Sequence, residues 1–165
     1  MRKIIIAGMV LLVMFFTACE SKKNNVSGDS GRHVSNDSEI VPDVQYIRVG
    51  SGSGPRTPTS TVISSVNELN QYSGNFNRAS SWNTEYTNVI AKYNNNYFAN
   101  NFLVMVLLEE SSGSNRHKVE RVDRDGNIFI QRIEPEIGTA DMATWNIIIE
   151  LDNSFKLERF QVVIR

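Results

Sequence analysis

The chain is poor in cysteine and histidine and carries no excess of positive charge. Its single cysteine, Cys19, excludes an intramolecular disulfide in any oxidising compartment. Two histidines, His33 and His117, leave few candidates for a general base. A formal net charge of −1 argues against nucleic acid as a partner, because such a protein needs a basic face. The apolar run at the N-terminus is also short. Ile4 to Phe16 holds thirteen uncharged residues, below the ~20 that a helix needs to cross a bilayer permanently.

What is present at that end forms a pattern. Arg2 and Lys3 precede the run, and Thr17-Ala18-Cys19 follow it. A basic start, a short apolar stretch and small residues describe a secretory signal peptide over residues 1–18. Phe16-Thr17-Ala18-Cys19 resembles the lipobox of bacterial lipoproteins, with Phe16 standing where that motif usually has an aliphatic residue. The resemblance implies acylation of Cys19 and a chain attached to the extracytoplasmic face of a bacterial membrane, where more than one acyl chain makes a stable anchor. Removing Arg2 and Lys3 with the leader takes the formal net charge from −1 to −3, so nothing beyond the anchor attracts anionic lipid.

Residues 19–42 read as a tether. Ser, Asn, Gly and Asp dominate, without apolar periodicity, and such a segment buries too little surface to offset its ordering entropy. His33 lies within it. Residues 43–165 then supply about 120 residues, enough for one domain with a core. Val44 to Val49 is a strand candidate. Gly50, Gly52 and Gly54 have no following Lys-Ser/Thr, and Pro55 and Pro58 forbid a helix, which makes a loop and not a phosphate cradle. Ser65-Val66-Asn67-Glu68 fits a capping box and predicts a short helix to Tyr72. A second helix is expected over Thr84 to Tyr93, with Tyr86, Val89, Ile90 and Tyr93 on its core face and Trp82 packing at its entry.

Strands dominate the remainder. Phe102 to Glu109 is apolar on both alternating faces, as in a central strand covered on both sides. Arg116–Val122, Asn127–Ile133, Thr144–Leu151 and Arg159–Ile164 follow, separated by turn residues. The expected architecture is α+β, an antiparallel sheet of about five strands with two short helices packed on one face.

The candidates for chemistry each meet an objection. Asp123, Asp125, Asn127 and Glu134 hold EF-hand spacing, but Ile128 stands where that loop needs glycine, and Asp125-Gly126 between two strands signals a hairpin. Ser111, Ser112 or Ser114 with His117 supplies the residue types of a hydrolase. However, Ser114 and His117 are expected on opposite faces, and no Gly-x-Ser-x-Gly elbow is present. His117 is expected half-exposed on its strand. Glu109 and Glu110 point to opposite sides and cannot act as a pair. Trp145 shares a strand face with Ile147, Ile149 and Leu151, so core packing is expected, with a partner surface as the other reading.

From Thr61 to Val163 the chain resembles the PrcB C-terminal-domain family of bacterial lipoproteins, named for a subunit of a spirochaete surface protease complex. The resemblance rests on the helix pair, on Ser112-Gly113-Ser114 with Arg116, and on Gly138-Thr139-Ala140-Asp141-Met142-Ala143 with Trp145. Many relatives have Cys at the place of Ala140, so no thiol or disulfide role survives there. The family implies an accessory protein that accompanies a protease, with no catalytic residues and no cofactor to carry over. Ser112, Gly113, Ser114, Arg116, Gly138, Thr139, Asp141, Met142 and Trp145 are then structural or partner-contacting. The combined expectation is a lipid-anchored envelope protein that binds another protein and is not an enzyme. The alternative is a small envelope hydrolase or metal-binding module using His117 with nearby acids.

Overall fold

The computed structural model describes residues 39–51, 54–74 and 81–165, with the side chains of 81–83 excepted. The leader, the acylation candidate Cys19, His33, the tether up to residue 38 and the Trp82 side chain lie outside the described residues. Among those described, eight strands form two sheets of four. The first sheet runs β1 (Glu39–Ile40), β5 (Arg116–Asp123), β6 (Asn127–Ile133), β8 (Gln161–Ile164). The second runs β2 (Asp43–Gly50), β7 (Ala143–Asp152), β4 (Asn101–Glu110), β3 (Thr59–Ile63). Three helices join them: α1 (Val66–Ser73), α2 (Ser81–Ile90) and the single turn α3 (Asn95–Phe98).

The α+β class holds, but the single antiparallel sheet of about five strands is replaced by a layered pair of sheets. The reason is visible in β4 and β7. Phe102, Val104, Val106 and Leu108 of β4, with Trp145, Ile147, Ile149 and Leu151 of β7, enter one core together with Val119, Val122, Ile128 and Ile130 of the first sheet. Residues of the other parity, Leu103, Met105 and Ile148, enter a second core with Ile47, Ile63, Leu69, Tyr86 and Tyr93. The β2-β7-β4-β3 sheet is therefore the middle layer, with a sheet on one face and helices on the other. Trp145 lies in the inter-sheet core, the packing position expected for it.

Strand order follows from how the chain changes layers. Ser111–Asn115 does not turn β4 back on a neighbour, as a hairpin would. It carries the chain from β4 in one sheet to β5 in the other. One pair, β6 with β8, is parallel; the other pairs are antiparallel. The β5–β6 hairpin forms as its sequence predicts. Gly126 takes φ 85°, and Asp123 Oδ1 accepts from the Asp125 and Asn127 amides at 3.0 and 2.9 Å. The carboxylate of the EF-hand pattern is thus spent on the turn.

The edges are closed by side chains. The chain passes from β1 in one sheet into β2 in the other, and the Val119 amide of β5 donates to the Tyr46 hydroxyl of β2 at 2.8 Å. On the opposite side, Ser60 Oγ of β3 donates to the Phe160 carbonyl beside β8 at 2.6 Å. Such cover removes free backbone that would template further strands. Glu39–Ile40, expected in the tether, already belongs to the sheet. The Ser65 cap forms, accepting from the Glu68 amide at 3.2 Å, while Glu68 Oε2 reaches back one residue further than expected, to the Ser64 amide at 2.7 Å. The second helix begins at Ser81 and ends at Ile90, earlier at both ends than Thr84–Tyr93, yet Tyr86 and Tyr93 are buried as expected.

Candidate functional site

Three connections meet at one end of the sandwich: residues 54–58, 111–115 and 134–142. The strand register places them there, since Gly50 pairs with Thr144, Glu110 with Ala143, and Arg116 with Ile133. Ser112, Gly113 and Ser114 on one connection thereby come against Gly138, Thr139 and Asp141 on another.

The contact is built from small polar groups. The Thr139 amide donates to Ser112 Oγ at 3.0 Å and to Ser114 Oγ at 3.1 Å. Those two hydroxyls are 2.8 Å apart. The Gly113 amide donates to the Asp141 carbonyl at 2.7 Å. A side chain at Gly113 has no room, because a Cβ there would stand 2.7 Å from Asp141 Oδ1 and 2.8 Å from Arg48 Nη1. Arg48, projecting from β2, completes the lock with Nη2 at 2.6 Å from Asp141 Oδ2 and 3.1 Å from the Met142 carbonyl. A hydrogen bond from Thr139 and then the Arg48 guanidinium hold the Asp141 carboxyl down to about 2. Gly54 adds a tie from the third connection, its amide donating to Glu109 Oε2 at 2.8 Å.

Beneath the loops lies a charged cluster. Glu110 is 2 % exposed and accepts at Oε1 from His117 Nε2 at 2.8 Å and from Arg132 Nε at 3.0 Å. Asn115 Nδ2 donates to its other oxygen at 2.9 Å. Burial pushes the Glu110 carboxyl up, but these three hydrogen bonds outweigh it and leave the group below its ordinary value. His117 is held below its ordinary value because burial outweighs attraction to Glu110. Its side chain is 0 % exposed, which corrects the half-exposed position expected for it, and its ring sits edge-on to Trp145 with centroids 5.6 Å apart. Arg116 lies over Trp145 at 5.4 Å and donates to the carbonyls of Gly113 and Asn115.

Every residue of the sequence motif except Met142 and Trp145 makes a side-chain or amide contact in this loop assembly or spaces it; Met142 contributes its carbonyl, and Trp145 its ring beneath Arg116. Arg48, Asn115 and Arg132 are not singled out by the sequence, and Glu110 is weighed there only as a partner of Glu109. Among the described residues no serine hydrogen-bonds to His117, whose Nδ1 is buried without a hydrogen-bond partner. Among the described residues, no group of three or more His, Cys, Asp or Glu is placed to hold a metal ion. Nor, among them, is any helix long and apolar enough to cross a membrane.

Chemically, the site is a rigid surface with an inaccessible acid–base pair below it. Comparison with known proteins finds no matching family model, no matching characterised protein and no matching solved structure. The reading of function therefore rests on this geometry and on the sequence patterns.

Proposed function

We propose that this protein is a lipid-anchored, extracytoplasmic accessory protein whose folded domain binds a protein partner through the loop end of the sandwich. The observation that carries the reading is the 134–142 connection. It is solvent-exposed up to Met142, yet tied at Thr139 and Asp141 to two other segments, the 111–115 connection and β2. A loop fixed before binding loses little entropy on contact, so a partner can recognise its shape. The basic start, apolar run and Cys19 support the anchor. The resemblance to the PrcB C-terminal-domain family favours a secreted or surface protease complex as the setting. No observation favours the hydrolase or metal alternative, because His117 is sealed from solvent and committed to Glu110.

The test uses the full chain in a bacterial host. With Cys19 intact, the protein should partition with membranes, take up labelled palmitate and co-purify with one defined partner in fixed proportion. Cys19→Ala should lose label and membrane attachment. Unchanged fractionation of that variant would remove the anchor, and no reproducible partner would remove the accessory role.

A further inference from the structure

We infer that the stretch from Ile133 to Met142 docks a folded protein whose surface offers an apolar pocket rimmed by lysine or arginine. This rests on the proposal that the protein binds another protein, and it specifies the face and the chemistry of the partner.

Large apolar side chains are left in water here more than elsewhere. Ile137 is 86 % exposed, Ile133 46 % and Met142 44 %; among the described residues only Val41 otherwise stands so far out. Single exposed apolar residues need no explanation, but Ile133 at the end of β6 with Ile137 and Met142 on the connection after it puts three within ten residues, which marks a binding face. The backbone that carries them is fixed by Thr139 on Ser112 and Ser114, and by Asp141 on Gly113 and Arg48. Ile137 is therefore presented in a set position.

The charges decide what fits. Glu134 and Glu136 flank Pro135, are exposed, and form no ion pair with any described residue. Three neighbouring cations are already engaged, though not buried: Arg48 with Asp141, Arg132 with Glu110, Arg116 with the carbonyls of Gly113 and Asn115. Residues 134–142 themselves carry Glu134, Glu136 and Asp141 and no lysine or arginine, and complementarity asks for a basic rim. The same charges disfavour two other occupants. A second copy meeting this face symmetrically would set Glu134 and Glu136 against themselves. An anionic bilayer would repel both carboxylates.

A photo-crosslinking residue at Ile137 in the full, anchored chain tests the assignment in cells, with a control at Lys118 on the solvent face of β5. Adducts at 137 should join one heterologous protein through a peptide containing lysine or arginine beside apolar residues. Glu134→Lys with Glu136→Lys should reduce that adduct about tenfold, and added salt should weaken it, since rim charges act on association. Purified protein should remain monomeric in sedimentation and should not bind phosphatidylglycerol vesicles unless acylated. Self-adducts at 137, vesicle binding of the Cys19→Ala protein, or an adduct insensitive to charge reversal would each overturn the inference. Adducts at 118 but not 137 would overturn it while leaving the accessory role standing; adducts at neither position would count against both. Thermal melting of the double variant separates lost docking from lost folding.

Discussion

Arg48 Nη2 and Asp141 Oδ2 meet at 2.6 Å, although 93 residues separate them in the chain. The pair joins β2 to the β6–β7 connection, and Gly113 sits between them with no space for a methyl group. Because the pair is partly exposed, its contribution to global stability is small, and its effect is local. Arg48→Met should leave the melting temperature nearly unchanged while the amides of Gly113 and Thr139 exchange faster with solvent. Hydrogen exchange resolved by residue would show this, and unchanged protection at both amides would refute the lock.

Gly113 and Gly138 should respond differently to alanine. At Gly113 the new Cβ meets a carboxylate and a guanidinium that hold each other, so the loop must shift, at about 1–3 kcal/mol for such overpacking. At Gly138 the nearest atom is Ser112 Oγ at 3.3 Å, which a small rotation relieves. Urea denaturation of the two variants should rank Gly113→Ala clearly below Gly138→Ala.

Glu110 is the acceptor on which His117, Asn115 and Arg132 converge. Glu110→Ala leaves His117 and Asn115 buried without that acceptor, while Arg132 can turn to water, and should cost about 3–5 kcal/mol, the usual result of breaking a buried pair from one side. Glu110→Gln retains the shape and one acceptor and should cost less. Equal losses for the two variants would show that packing, not charge, holds the cluster together.

Acid should weaken the fold in two stages. His117 lies below its ordinary 6.5 in the folded chain, so the unfolded chain takes up a proton first as pH falls. Stability is complete above 6.5 and is lost as pH drops through the folded-state value. Glu110, below its ordinary 4.5, adds a second loss of the same sign at lower pH. Urea midpoints measured from pH 8 downward should fall in this order, and His117→Gln should flatten the first stage alone. A first stage unchanged in His117→Gln would assign it to another group.

Much of this architecture is written in alternation. Phe102 to Leu108 is apolar at both parities, which demands cover on two faces, while Asn127 to Ile133 alternates and demands it on one. The turn at Asp123–Gly126 and the cap at Ser65 follow from local chemistry and form as expected. The buried cluster was also legible in part. Glu110 shares parity with Phe102, Val104, Val106 and Leu108, His117 with Val119, and Arg132 with Ile128 and Ile130. Glu110 and His117 on inward positions at strand ends call for one another, because neither can be buried alone, and Arg132 reaches them from the exposed end of its strand.

By itself the sequence determined six of the eight strands, all but β1 and β3, the Asp-Gly hairpin and the capped helix, because these depend on near neighbours and on a period of two. Tertiary structure alone decided that Ser111–Asn115 crosses between sheets instead of turning within one. The same five residues can satisfy their backbone either way, and the choice belongs to the inter-sheet core, which needs β5 and β6 over the apolar face of β4 and β7. That choice brings Arg48 to Asp141, seals His117 under Trp145, and leaves Ile137 facing water next to Glu136.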